Sequence, residues 1–169
     1  MYKIDSDRDQ QVINSLNQHF GEAIASHEIS TDMLNITINK SAIHEVLSFL
    51  KSDKQLDYNF LTTICGMHFP ENDTLGVVYH LHSFVNNHRI RVKTTTELAN
   101  PVIPTISDIW PAANWQERET YDFYGIRFQG HPNLKRILNV DEMTDFPLRK
   151  DFPLEDQTRD DKNDSMFGR

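Results

Sequence analysis

The chain has 169 residues, a formal net charge of −8 at neutral pH and a pI near 5.4. That length suits one domain plus a tail, with a core of useful size, and the acidity excludes a nucleic-acid partner held by neutralising phosphates. A single cysteine, Cys65, excludes an internal disulfide framework and a thiolate or iron–sulfur cluster site within the chain.

Cys65 sits inside the apolar run Leu61 to Met67 and is expected to be buried and inert. Met1 to Asp9 lacks the cationic and apolar blocks of a signal peptide, and no run approaches the length of a membrane span. A soluble chain of a reducing cytoplasm is expected, one that meets a membrane only through another protein.

Val12, Ile13, Leu16 and Phe20 mark one face of a first helix, with Asp7 and Gln10 spaced like a capping box and Gly21 as its stop. Two short strands follow, Ala23 to Ile29 and Met33 to Asn39. In the second, Leu34, Ile36 and Ile38 alternate with Asn35, Thr37 and Asn39, which predicts one dry and one wet face. Ser41 is placed to cap a second helix, whose Ile43, Val46, Leu47 and Leu50 fall at i, i+3, i+4 and i+7 before Ser52-Asp53 ends it. Phe60 to Phe69 reads as a strand closed by Pro70. Leu75 to Val85 and His88 to Thr95 read as a hairpin turning through Asn86-Asn87. Pro101, Pro104 and Pro111 punctuate the passage to a third helix, with Thr105 able to start one short turn before Trp110. The order α-β-β-α-β-β-β, then a helix, suits an α+β, two-layer domain with helices on one face of a sheet.

The third helix carries Glu119 and Asp122 at i and i+3, Arg118 placed to pair with Asp122 at i+4, and Gly125 where a C-terminal cap belongs. Beyond Gly125 the helical period is lost, and Pro132, Pro147 and Pro153 forbid its return. Little regular structure is expected after Leu138, and Glu155 to Asp164, with five carboxylates, two basic residues and no apolar side chain, reads as disordered on its own. Phe-Pro-Leu occurs twice, at Phe146 to Leu148 and Phe152 to Leu154, with Arg149, Lys150 and Asp151 between. These read as two anchors on an extended segment that seek a groove.

The run ERETYDFYGIRFQGHPNLKRIL from Glu117 to Leu138, followed by FPLRKDFPL from Phe146 to Leu154, resembles the C subunit (30 kDa-type subunit) of proton-translocating NADH:quinone oxidoreductase, respiratory complex I. A looser outline, including Val78-Tyr79-His80-Leu81 and Arg89 to Lys93, covers most of the chain. Where many members have a Gly-His pair before Pro-Leu-Arg-Lys-Asp, this chain has Asp145-Phe146. The resemblance implies a mixed sheet, a 1–138 domain of the C-subunit type and a 139–169 extended C-terminal tail that docks on a partner. It implies a structural subunit of the peripheral arm, beside the D subunit and the cluster-bearing subunits, at the cytoplasmic side of the cell inner membrane. The chain itself would hold no cofactor, with FMN, iron–sulfur clusters, NADH and quinone bound by partner subunits. The motif residues expected to serve structure and interface are Glu117, Arg118, Glu119, Asp122, Gly125, His131, Pro132, Arg136, Phe146, Pro147, Leu148, Arg149, Lys150, Asp151, Phe152 and Pro153. An equivalent subunit of a membrane-bound hydrogenase or of a ferredoxin- or F420-dependent quinone reductase is the close alternative.

Other chemistry is less favoured by the residues themselves. His80 and His82 share one side of a strand, with His68 nearby in the chain; a metal hydrolase using them and a carboxylate of the third helix is the reading from a different class. Ordinary hydrogen bonding on a half-exposed sheet face is preferred. Glu117, Glu119 and Asp122 lack a His three residues on, so ion pairing with Arg118, Arg127, Lys135 or Arg136 that pins tail to helix is preferred to a metal helix. Gly125 and Gly130 make no phosphate loop, and no nucleophile elbow is present. Arg89, Arg91 and Lys93 form a solvated strand face or, less favoured, a strip for an acidic partner. The thirty or so residues after Leu138 reach about 90 to 100 Å when extended, which favours docking on a neighbour over packing at home.

Overall fold

The computed structural model describes residues 6–30 and 33–153. The elements are α1 (Ser6–Phe20), β1 (Ile24–Ser30), β2 (Met33–Ile38), α2 (Ile43–Ser52), β3 (Phe60–Phe69), β4 (Thr74–Ser83), β5 (His88–Glu97), β6 (Val102–Pro104), α3 (Ala113–Tyr124) and β7 (Arg127–Gln129). Five strands form one sheet in the order β1-β2-β5-β4-β3. It is mixed, because β2 runs parallel to β5 while the other neighbours pair antiparallel. No helix among the described residues is long and apolar enough to cross a membrane.

Register places the core. Ile36 pairs with Val92, Val92 with Tyr79 and Tyr79 with Ile64, so one row of apolar side chains crosses four strands on one face. That face meets Val12, Ile13 and Leu16 of α1 and Ile43, Val46, Leu47 and Leu50 of α2, all buried. Full burial of each large side chain stabilises the fold by about 1.5–3 kcal/mol before entropy is counted. A buried polar relay fastens α1 to the sheet: the ring of His88 bonds Asp9 at 3.0 Å through Nε2 and the Tyr58 hydroxyl at 2.6 Å through Nδ1.

Several local expectations change. Asp7 lies inside the first turn of α1, where its charge favours the free amides, and Gln10 bonds forward to Asn14, so no capping box forms. Ala42, with no side-chain bond, takes the N-cap position expected of Ser41. Asn35 is buried on the face predicted to be wet and donates to the Met33 carbonyl. The hairpin turn spans Phe84 to Asn87, with Asn87 in the left-handed region at φ 47°. Cys65 is exposed. The reason is register: Cys65 pairs with Val78, on the face opposite the helices and on an edge strand. Finally, β6 and β7 form a small parallel sheet that hydropathy did not reveal.

Candidate functional site

Helix α3 packs on edge strand β3, on the same face as α1 and α2. Its successive turns present Ala113, Glu117, Thr120 and Tyr124 inward. The ring of Tyr124 lies so close on Gly66 that a Cβ there would be 2.4 Å from it. Gly125 ends the helix at φ 76° and donates to the Tyr121 carbonyl, as the sequence predicts.

Asp122 is completely buried and organises the chain that follows. Its Oδ2 accepts three successive backbone N–H groups, from Ile137 (3.0 Å), Leu138 (2.8 Å) and Asn139 (3.1 Å). Its Oδ1 accepts from Arg136 Nη1 (2.8 Å) and Asn139 Nδ2 (3.0 Å). Burial alone would raise the carboxyl pKa, but the three amides and the guanidinium outweigh it and hold the group well below the usual carboxylate range. Arg136 also donates to the carbonyls of Asp122, Met143 and Asp145, closing the loop that leads to Phe146. The Arg118–Asp122 pair does not form. Arg118 turns to the Lys135 and Arg136 carbonyls and stacks over Trp115 at 4.9 Å, because Asp122 faces inward and is already saturated.

Phe146 covers Gly125, where a Cβ would lie 2.6 Å from the ring, and sits between the guanidinium groups of Arg136 (5.2 Å) and Arg149 (4.4 Å). Arg149 Nε donates to the Tyr124 carbonyl at 2.7 Å, the Leu148 N–H to the Phe123 carbonyl, and the Lys150 N–H to His68 Nδ1. Asp151 lies 3.7 Å from that same nitrogen, and the Phe152 N–H donates to the Arg149 carbonyl. Of the first Phe-Pro-Leu, Phe146 therefore packs on its own domain while Leu148 stays exposed. Orphan carbonyls at the end of α3 supply the reason: they need donors, and residues 148–149 bring them. Leu154 and the acidic run to Asp164 lie outside the described residues. Pro147 is half-buried; Pro132, Pro153 and Leu148 are exposed.

Glu117 is also fully buried. Its Oε1 accepts the Ile106 N–H at 2.7 Å, its Oε2 lies 2.5 Å from Thr105 Oγ, and His131 Nε2 is 4.0 Å away. Burial pushes its pKa up to about 7, against the opposing pull of the Thr105 and Ile106 bonds. Glu119 is exposed and lines a shallow cavity with Thr63, Cys65 and Leu148. Of the sequence-derived carboxylates, Asp122 thus pins the tail, Glu117 pins the 105–106 turn and Glu119 pins neither.

His80 and His82 face the side of the sheet opposite α3, so the sheet stands between them and its carboxylates. His82 packs on Phe84 at 4.6 Å. Among the described residues, no three His, Cys, Asp or Glu side chains converge as metal ligands. Lys93 on the same face pairs with Glu28 at 3.7 Å. Sequence reasoning misses Asn139 and Trp115, and gives Thr105 only a helix start and His68 only a place near the His80/His82 pair. Only Trp115, an aromatic on the outward side of α3, carried a signal that could have found it.

Residues 36–158 match the family model described as respiratory-chain NADH dehydrogenase, 30 Kd subunit. The chain belongs to that family. Among curated relatives of this 30 kDa-family chain, the C subunit of NADH-quinone oxidoreductase from Methylobacterium sp. (strain 4-46) is 43% identical over 146 residues, covering 86% of this chain and 67% of the relative. The protein of the same name from Hyphomonas neptunium is 40% identical, covering 86% and 74%. Of the corresponding protein from Methylobacterium radiotolerans the chain spans 62% of the length, at 44% identity. Among solved structures, the trypsin-resistant fragment of Nqo5 superposes with a TM-score of 0.64 at 28% identity, covering 75% of this chain and 99% of the fragment. A chain of an archaeal membrane-bound sulfane sulfur reductase shares the fold, with a TM-score of 0.72 at 24% identity, covering 86% and 85%.

Proposed function

We propose that this 30 kDa-family chain is a structural subunit of the peripheral arm of proton-translocating NADH:quinone oxidoreductase, complex I, with no catalytic activity of its own. It holds the quinone-site D subunit and the cluster-bearing subunits in register at the cytoplasmic side of the inner membrane, while NADH, quinone, FMN and iron–sulfur clusters are bound by those partners.

The observation that carries this reading is a group of exposed apolar side chains on α3 and in the segment that follows its pinning by Asp122. Trp115, Leu138 and Val140 are 62%, 69% and 66% exposed, and Ile137, just before Leu138, is 37% exposed. Asp122 holds the backbone of 137–139, and Arg118 stacks on Trp115. Large apolar side chains held in fixed positions in water lower the ordering cost of binding, which is how protein interfaces anchor. Among residues 139–153 the outward large apolar side chains are those of Val140 and Leu148.

The test is a pull-down of the tagged chain from gently solubilised membranes, wild type against Leu138→Asp with Val140→Asp. The wild type should bring down a large assembly that oxidises NADH and reduces quinone, and the double variant should lose it while staying folded. Activity only with another electron donor would keep the scaffold role and change the parent complex. A lone protein, in cells whose complex is intact, would overturn the reading.

A further inference from the structure

Glu117 is used by nothing proposed above, and its surroundings differ from those of Asp122. Among the described residues the only ion-pairing group within 4.0 Å is His131. That ring accepts the Asn133 N–H at Nδ1 (3.0 Å), which puts its proton on Nε2, where it donates to the Asn114 carbonyl (3.1 Å). Both ring nitrogens of His131 are therefore taken up by backbone groups. The other groups facing the carboxyl are the fully buried Tyr79 phenol of β4, Asp108 of the turn before α3, and His44 of α2, itself bonded to Asp108 at 2.9 Å. Arg118, next along α3, points away to the 135–136 carbonyls. A carboxylate buried without a cation is far costlier than a neutral carboxyl in the same place.

Hydroxyl protons around it must be counted. Thr105 Oγ lies 2.5 Å from Glu117 Oε2 and 2.9 Å from Ser107 Oγ, and it accepts the Ser107 N–H at 3.2 Å. It has one proton for two oxygen neighbours. If Glu117 is ionised, Thr105 donates to it and the Ser107 hydroxyl turns inward. If Glu117 holds a proton, Glu117 donates to Thr105, Thr105 to Ser107, and Ser107, which is partly exposed, turns to solvent. Every donor has an acceptor in both arrangements, and they differ by reversal of one chain of hydrogen bonds.

We propose that Glu117 is a proton-binding site, occupied in the folded chain in mildly acidic solution and filled and emptied along Thr105 and Ser107. On release, the Glu117 proton passes to Thr105 Oγ as the Thr105 proton passes to Ser107 Oγ and the Ser107 proton leaves to water. One proton is lost and no bond is left open. The upward displacement of the carboxyl to about 7 agrees with this and sets the range in which the site empties. The site ties α3 to the Thr105–Ile106 turn.

Infrared spectroscopy of the full-length chain tests it directly. A carbonyl band of a buried protonated carboxyl should be present at pH 6, titrate away with a midpoint near 7, and be missing from Glu117→Gln. On transfer to deuterium oxide its isotope shift should appear at least tenfold more slowly in Ser107→Ala and Thr105→Val than in the wild type. Absence of the band from the folded wild type at pH 6 would overturn the site. A band present in the wild type but exchanging equally fast in Ser107→Ala, whose change is half exposed and leaves the core untouched, would overturn the path. Either failure leaves membrane pull-down unaffected, so it is distinguishable from failure of the docking reading.

Discussion

Replacing Asp122 with asparagine keeps its shape and removes its charge. The carboxylate satisfies five donors, three of them consecutive amides. An asparagine has one oxygen and one NH2, so in either orientation the NH2 faces donors, the 137–139 amides or the Arg136 and Asn139 side chains. Removing one partner of a buried pair costs about 3–5 kcal/mol. Neither the sheet nor α1 and α2 depend on Asp122, so the loss should appear as local opening of residues 136–153 and not as global unfolding. At about 3 kcal/mol the open population rises roughly 100-fold. Amide hydrogen exchange on the full chain reads this directly: exchange at 137–139 should accelerate by about that factor while β4 amides keep their protection. Unchanged protection at 137–139, or an equal loss throughout β4, would refute the reasoning.

Glu117 and Asp122 should shape the pH dependence from opposite sides. The folded pKa of Glu117, about 7, lies above the ordinary 4.5, so its contribution is full below 4.5 and is lost as pH rises through 7; stability should fall by roughly 3 kcal/mol across that window, and urea titrations of Glu117→Gln should lack the slope. The Asp122 pKa is depressed, so its contribution is present above the ordinary 3.8 and lost as pH falls below it; protection of the 137–139 amides should fall with acid in the wild type and lack that dependence in Asp122→Asn. Gly125→Ala places a Cβ at φ 76° and 2.6 Å from the Phe146 ring; a left-handed alanine alone costs about 1–2 kcal/mol, and the melting temperature should drop with release of residues 146–149 to proteolysis. Leu47→Ala, at a fully buried site, should cost about 2–5 kcal/mol by chemical denaturation without selective exposure of that segment.

Helix α2 and strand β3 were legible because each repeats its period for long enough to be seen: Ile43, Val46, Leu47 and Leu50 on one side, and ten residues between Asn59 and Pro70. The parallel pairing of β2 with β5 was not legible from periodicity, which tells which face is apolar and not which strand lies alongside; the mixed sheet came from family resemblance. Strands β6 and β7 have three residues each, too short to show any period. The sequence offers Arg118, Arg127, Lys135 and Arg136 as partners that pin tail to helix, and Asp122 takes Arg136 and not Arg118. The actual donors are mostly backbone amides, which leave no mark in a sequence. Glu117 was placed among the ion-pairing carboxylates, although its spacing of four from Ala113 and three from Thr120 already sets it on the inward face. Cys65 is exposed inside an apolar run because an edge strand covered on one face exposes alternate residues.

The β2–β5 pairing also constrains how the chain is made. Ile36 must find Val92, fifty-six positions later. At synthesis rates of about 5–20 residues per second that is an interval of roughly 3 to 11 s. During it the β1–β2 hairpin carries Leu34, Ile36 and Ile38 with no β5 to complete the sheet, and its other strand is exposed along most of its length even in the finished fold. The nascent chain therefore passes through a stage with a sticky open edge, and strand β5 is the last piece of the main sheet to leave the ribosome and the one that closes it.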